Sequence, residues 1–177
     1  MKVSSDSINW RYARVFLDTS ALLKLLAPEL EEPGTIDLES YLKPGLGISI
    51  QTGNYCIGEI LGILKRKLTA KSERESNSKQ NKPNITADGY LIVINRLNWR
   101  LDNKMLEIYD LPLSKYHTES IAFIKKCDID YVDALILNHL MLSNDYDLFI
   151  TDDKKLKTAA DECNVLCWYL RDTCPQA

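Results

Sequence analysis

The chain has 177 residues, 45% of them hydrophobic and 27% charged, which suits one domain with a sizeable core. No apolar run reaches membrane-spanning length and the N-terminus lacks the apolar centre of a secretion signal, so no membrane association and a cytoplasmic setting are expected. A net charge of −3 excludes indiscriminate nucleic-acid binding, yet Lys65 to Lys82 holds seven basic residues against two acidic ones, a local +5 that leaves −8 for the rest.

Residues 1–13 are polar and read as an N-terminal extension; 14–177 read as a single domain. Arg14 to Leu17 has the apolar character of a short buried strand, and Thr19 to Leu26 follows as a leucine-rich helix that Pro28 ends. Asp37–Leu42 predicts a short helix and Gly47–Ile50 a second strand. From Thr52 to about Leu68 the pattern is helical, with Ile57, Leu61, Leu64 and Leu68 as the stripe expected to face the core and Glu59 at its edge. The polar stretch at about 70–84 reads as a flexible insertion.

A helix is expected from Thr86 to Trp99, a strand over Leu106–Leu111 closed by Pro112, and a helix capped by Ser114 through Lys126. Asp130 caps the next helix, to about Leu142. Asp147–Ile150 predicts a further strand, Lys154–Cys163 a helix and Val165–Tyr169 a last strand. Alternating strands and helices point to a three-layer α/β/α sandwich with a mainly parallel sheet, whose ligands bind beyond the carboxyl ends of the strands.

Four carboxylates stand at the ends of short apolar runs: Asp18, Glu59, Asp133 and Asp153. Carboxylates are costly to gather without a cation, and hard divalent ions prefer oxygen ligands. Four at one end of a parallel sheet suit one or two Mg2+ or Mn2+ ions, and phosphodiester hydrolysis is the reaction that most needs such a set. A paired-carboxylate glycosidase needs only two. A phosphoacceptor receiver domain carries its acidic pair early in the chain, whereas Asp152-Asp153 comes late. Haloacid-dehalogenase-type phosphatases need an aspartate where Ser20 stands.

Asp18-Thr19-Ser20 after an apolar strand, Glu59-Ile60 on a helix, Asp133-Ala134-Leu135-Ile136, and Thr151-x-Asp153 before a helix occur in this order. The set resembles PIN-domain ribonucleases, and most of all the VapC-type toxins of type II toxin–antitoxin pairs, over roughly 14–169. The resemblance implies a PIN-like fold and a Mg2+- or Mn2+-dependent endoribonuclease that leaves a 5′-phosphate and a 3′-hydroxyl. It implies that Asp18, Glu59, Asp133 and Asp153 carry the catalytic metal site, with hydroxyl contacts from Thr19, Ser20 and Thr151. It also implies an RNA substrate, an antitoxin partner and a homodimer. Asp130 and Asp152 depart from the pattern as extra acids, Asp130 preferred as a cap and Asp152 expected to point away; either remains an additional ligand candidate. Length is a second departure.

Lys65, Arg66 and Lys67 are the expected RNA-binding residues. The alternative is a non-catalytic PIN-fold interaction module or an RNA-processing factor outside a toxin–antitoxin system. His117 and His139 are expected to be bystanders, and Cys56 a buried thiol; the five cysteines match no zinc spacing.

Overall fold

The computed structural model describes residues 12–28, 38–42, 47–74, 87–111 and 113–172, with side chains at all but 67–74 and 113–115. Most of the expected extension, Pro112, Cys174 and the greater part of the insertion lie outside the described residues.

The element order is β1 (Arg14–Leu17), α1 (Thr19–Leu26), α2 (Leu38–Tyr41), β2 (Ser49–Gly53), α3 (Asn54–Arg74), α4 (Ala87–Asp102), β3 (Glu107–Tyr109), α5 (Leu113–Cys127), α6 (Tyr131–Leu142), β4 (Leu148–Thr151), α7 (Lys154–Glu162) and β5 (Cys167–Tyr169). All five strands are parallel, in the order β3-β2-β1-β4-β5. The chain leaves β1 in one direction, towards β2 and β3, and returns to its other side for β4 and β5. The carboxyl ends of β1 and β4 therefore meet at the switch in strand order, where open α/β sheets bind their ligands.

Helices α1 to α4 pack on one another, and α5, α6 and α7 form a second group. Right-handed crossovers put helices from oppositely directed connections on opposite faces, which accounts for the two groups. The strands are apolar because both faces are covered: Val15, Phe16, Leu17, Phe149 and Ile150 are fully or nearly fully buried. In α6 every residue from Ala134 to Leu140 is buried, so this helix has no wide solvent face. His139 lies there among the rings of Phe16, Tyr109 and Tyr116, a packing position as expected. His117 is exposed and paired with the Tyr131 hydroxyl.

Three expectations shift. Strand β2 runs three residues beyond Ile50, because Gln51, Thr52 and Gly53 pair with β3 and both faces of the sheet are covered there, burying Gln51 and Thr52 despite their polarity. Helix α3 buries Cys56, Ile60 and Leu64 at four-residue spacing, while Leu61 is 38% exposed. The stripe is rotated from the one the leucines suggest because a thiol takes a core position. Helix α3 also continues to Arg74, so the first residues of the expected insertion are helical. Among the described residues no helix is long and apolar enough to cross a membrane.

The rotated stripe gives a direct test. Ile60→Ala should destabilise the chain by about 2–5 kcal/mol, as for a buried aliphatic side chain. Leu61→Ala should stay within about 0.5 kcal/mol, as for a surface change. Urea unfolding of both variants reads the difference, and equal losses would contradict the assignment.

Candidate functional site

Asp18 follows β1 directly and is only 3% exposed. It is the N-cap of α1: its side chain accepts the amide of Ala21 at 2.7 Å, satisfying a helix-end donor. The Thr151 hydroxyl, at the end of β4, donates to Asp18 Oδ2 at 2.6 Å. The Ser20 hydroxyl lies 2.9 and 2.8 Å from the two carboxylate oxygens. Both hydroxyls are oriented from behind. Ser20 Oγ accepts the amide of Asp152 at 2.8 Å, and Thr151 Oγ1 accepts the amide of Asp153 at 2.9 Å. Each oxygen is thereby occupied as an acceptor, and its own proton is aimed at Asp18.

All of these donors to Asp18 are neutral. Burial pushes its carboxyl up to about 6, against the hydrogen bonds from Thr151, Ala21 and Ser20, and the charge of Asp153 adds to the rise. Asp153 caps α7, accepting the amides of Lys155 and Leu156 at 2.7 and 3.1 Å, and is exposed. Asp130 caps α6 and accepts the amide of Asp133 at 3.0 Å, as its preferred reading has it. Asp133, in the first turn of α6, is pushed up to about 8, first by burial and then by the charges of Asp130, Asp18, Asp153 and Glu59. Thr19 donates a short hydrogen bond to Glu59 on α3. The four acids thus come from four elements into one electrostatic neighbourhood.

Asp152 is different. Its carboxylate accepts Arg171 through Nε at 3.1 Å and Nη2 at 3.2 Å, and lies 3.4 Å from Lys24 Nζ. These two cations were not singled out in the sequence reading. One lysine among the leucines of α1, four residues after Ser20, was a readable signal for Lys24; nothing local marks Arg171. Lys65 and Arg66 are exposed on α3. Arg66 lies seven residues from Glu59, hence near its face and about 10 Å further along the helix. The side chain of Lys67 is outside the described residues. Cys56 is buried, and burial pushes its thiol up to about 11. The four described cysteines are free.

Among the described residues no three His, Cys, Asp or Glu side chains form a ready-made metal cage. The donor chemistry fits a hard divalent ion nonetheless: the set is of oxygen donors, and Asp18 and Asp133 are raised first by burial and then by neighbouring carboxylates. Mg2+ commonly takes one or two carboxylates and fills its remaining positions with water and substrate phosphate, so an open set fits it better than a closed one.

No protein-family model matches the chain, and no curated protein does. Among solved structures it is similar to one described as the crystal structure of VapBC2 from Rickettsia felis bound to a DNA fragment from their promoter. The identity is 17% and the TM-score 0.52, with 88% of this chain and 98% of that chain covered. The likeness is one of fold, and it agrees with the α/β sandwich described above.

The two raised carboxyls fix a pH dependence. Between their ordinary value of 3.8 and their folded values of about 6 and about 8, the native state holds more protons than the unfolded chain. Stability therefore falls as pH rises through that window. In chelator, the melting temperature should drop from about pH 5 to about pH 8, and Asp133→Asn should flatten the drop. A melting temperature that rises over this range in the parent protein would contradict the assignment.

Proposed function

We propose that this chain is a Mg2+- or Mn2+-dependent endoribonuclease of the PIN type. Asp18, Glu59, Asp133 and Asp153 would hold the ion. The observation that carries the reading is the gathering of acids around Asp133, whose carboxyl is raised by burial and further by the charges of Asp130, Asp18, Asp153 and Glu59. A soluble fold does not assemble such a set for stability, since like charges oppose folding. When bound, a divalent ion supplies the missing positive charge, orients a phosphodiester and activates water.

The chain's own residues do the rest. Thr151 and Ser20 direct protons onto Asp18, so that carboxylate is held in one orientation at the end of β1. Thr19 holds Glu59 in the same way from α1. The caps on α6 and α7 keep Asp133 and Asp153 at helix starts, where the helix dipole favours negative charge. Lys65 and Arg66, with Lys67, are the residues assigned to the RNA backbone.

The same reading takes the chain as the toxin of a toxin–antitoxin pair, cytoplasmic and dimeric, with an antitoxin as partner. It draws on the motif resemblance and on the fold likeness to VapBC2. Ile92 and Trp99, two turns apart on α4, are exposed, as are Leu91 and Leu61; such apolar side chains suit a protein partner.

The test is cleavage of a mixed RNA pool by the purified chain with Mn2+ or Mg2+, beside EDTA and Asp18→Asn. Cleavage should need the ion and should fall to background in the variant, which should keep its fold by circular dichroism. Cleavage that survives Asp18→Asn would overturn the site, and metal-independent cleavage the metal. Replacing Lys65, Arg66 and Lys67 by glutamine should make the salt dependence of RNA binding shallower by about 2 in logarithmic slope, three contacts at ~0.7 each. An unchanged slope would place the RNA elsewhere.

A further inference from the structure

Asp152 lies between two residues of the site, yet its carboxylate is taken by cations. Its side chain is 9% exposed, beside Lys24 at 13% and Arg171 at 50%. A metal ligand flanked by two cations would be opposed by both of them. What the residue does hold is helix α1, and at two points. Its amide donates to Ser20 Oγ at 2.8 Å, and its carboxylate meets Lys24 Nζ at 3.4 Å. Ser20 and Lys24 are four residues apart and so neighbours on one helix face. Arg171, two residues beyond β5, closes the far side with two hydrogen bonds, and its guanidinium fork suits a carboxylate.

We infer that Asp152 is a positioning residue: by gripping α1 at Ser20 and Lys24, with Arg171 behind it, it sets the β4–α7 turn against α1. The turn follows Thr151 and contains Asp153, whose hydroxyl and carboxylate respectively belong to the proposed site. Its placement fixes where Asp153 stands relative to Asp18, and it supplies the amide that orients the Ser20 hydroxyl. Lys24 and Arg171 act through Asp152 and touch no reacting atom. The inference rests on the proposed function only in taking Asp18 and Asp153 as the site.

Lys24→Met separates this role from a role through charge. Removing a cation near an anionic site should strengthen cation binding by Coulomb attraction. A positioning role has the opposite sign. Mn2+ affinity of the purified chain, read by calorimetry, should fall about tenfold, as on loss of an outer-shell partner. Independently of any metal, the amides of Asp152 and Asp153 should exchange with solvent about tenfold faster in chelator, because the turn opens more often. Arg171→Gln, at the exposed end, should shift both readouts in the same directions and serves if Lys24→Met does not fold. Higher Mn2+ affinity in Lys24→Met, or unchanged exchange of the two amides, would overturn the inference. A parent protein that binds no Mn2+ would instead overturn the metal reading of the site, and amide exchange alone would then decide the role of Asp152.

Discussion

A carboxylate buried at the end of the central strand, held only by neutral donors, is the constraint on which this structure turns. Asp18 is covered by Thr151, Ser20 and the amide of Ala21, and burial still raises it to about 6. An ion pair would have relieved the cost of burial, and cations are near at hand. Lys24 and Arg171 are instead paired with Asp152, the neighbour of Asp153. The arrangement pairs these positive side chains with Asp152 and leaves Asp18 to neutral donors.

The sheet order explains how the acids come together. β1 and β4 are neighbours at the switch in direction, so Asp18, just after β1, and Thr151 to Asp153, at and after the end of β4, share the carboxyl edge of the sheet. Helix α6 enters beside them, buried along seven successive residues, with Asp133 in its first turn. Helix α3 brings Glu59 within reach of Thr19. Three of the four acids stand at or next to a helix start, where capping and the dipole offset part of the mutual repulsion. Asp133 stays raised, to about 8, first by burial and then by the neighbouring charges.

Much of this was legible in the sequence. The strand before Asp18, the cap at Asp130 and the parallel α/β class follow from apolar runs, capping residues and alternation, which are local signals. Where local signals mislead, the reason is tertiary. Gln51 and Thr52 do not read as strand, but pairing with β3 and a bond from the Thr52 hydroxyl to the Leu17 carbonyl bury them. Leu61 reads as core, but Cys56 and Ile60 set the buried face of α3. The partners of Asp152 lie 128 residues before it and 19 after it, at Lys24 and Arg171, and no spacing rule joins them. Four acids in order, the hydroxyls of Thr19, Ser20 and Thr151 beside them and the cap at Asp130 could be found from the chain; the long-range partners of Asp152 could not.

The central question is whether a cation completes the acid set. Crystals of the chain grown with Mn2+ and measured at the manganese absorption edge would show it. An anomalous peak in contact with Asp18 and at least one of Asp133, Asp153 and Glu59 is the expected result. Ordered crystals with Mn2+ in the solution and no peak at these carboxylates, or a peak on other residues, would contradict it.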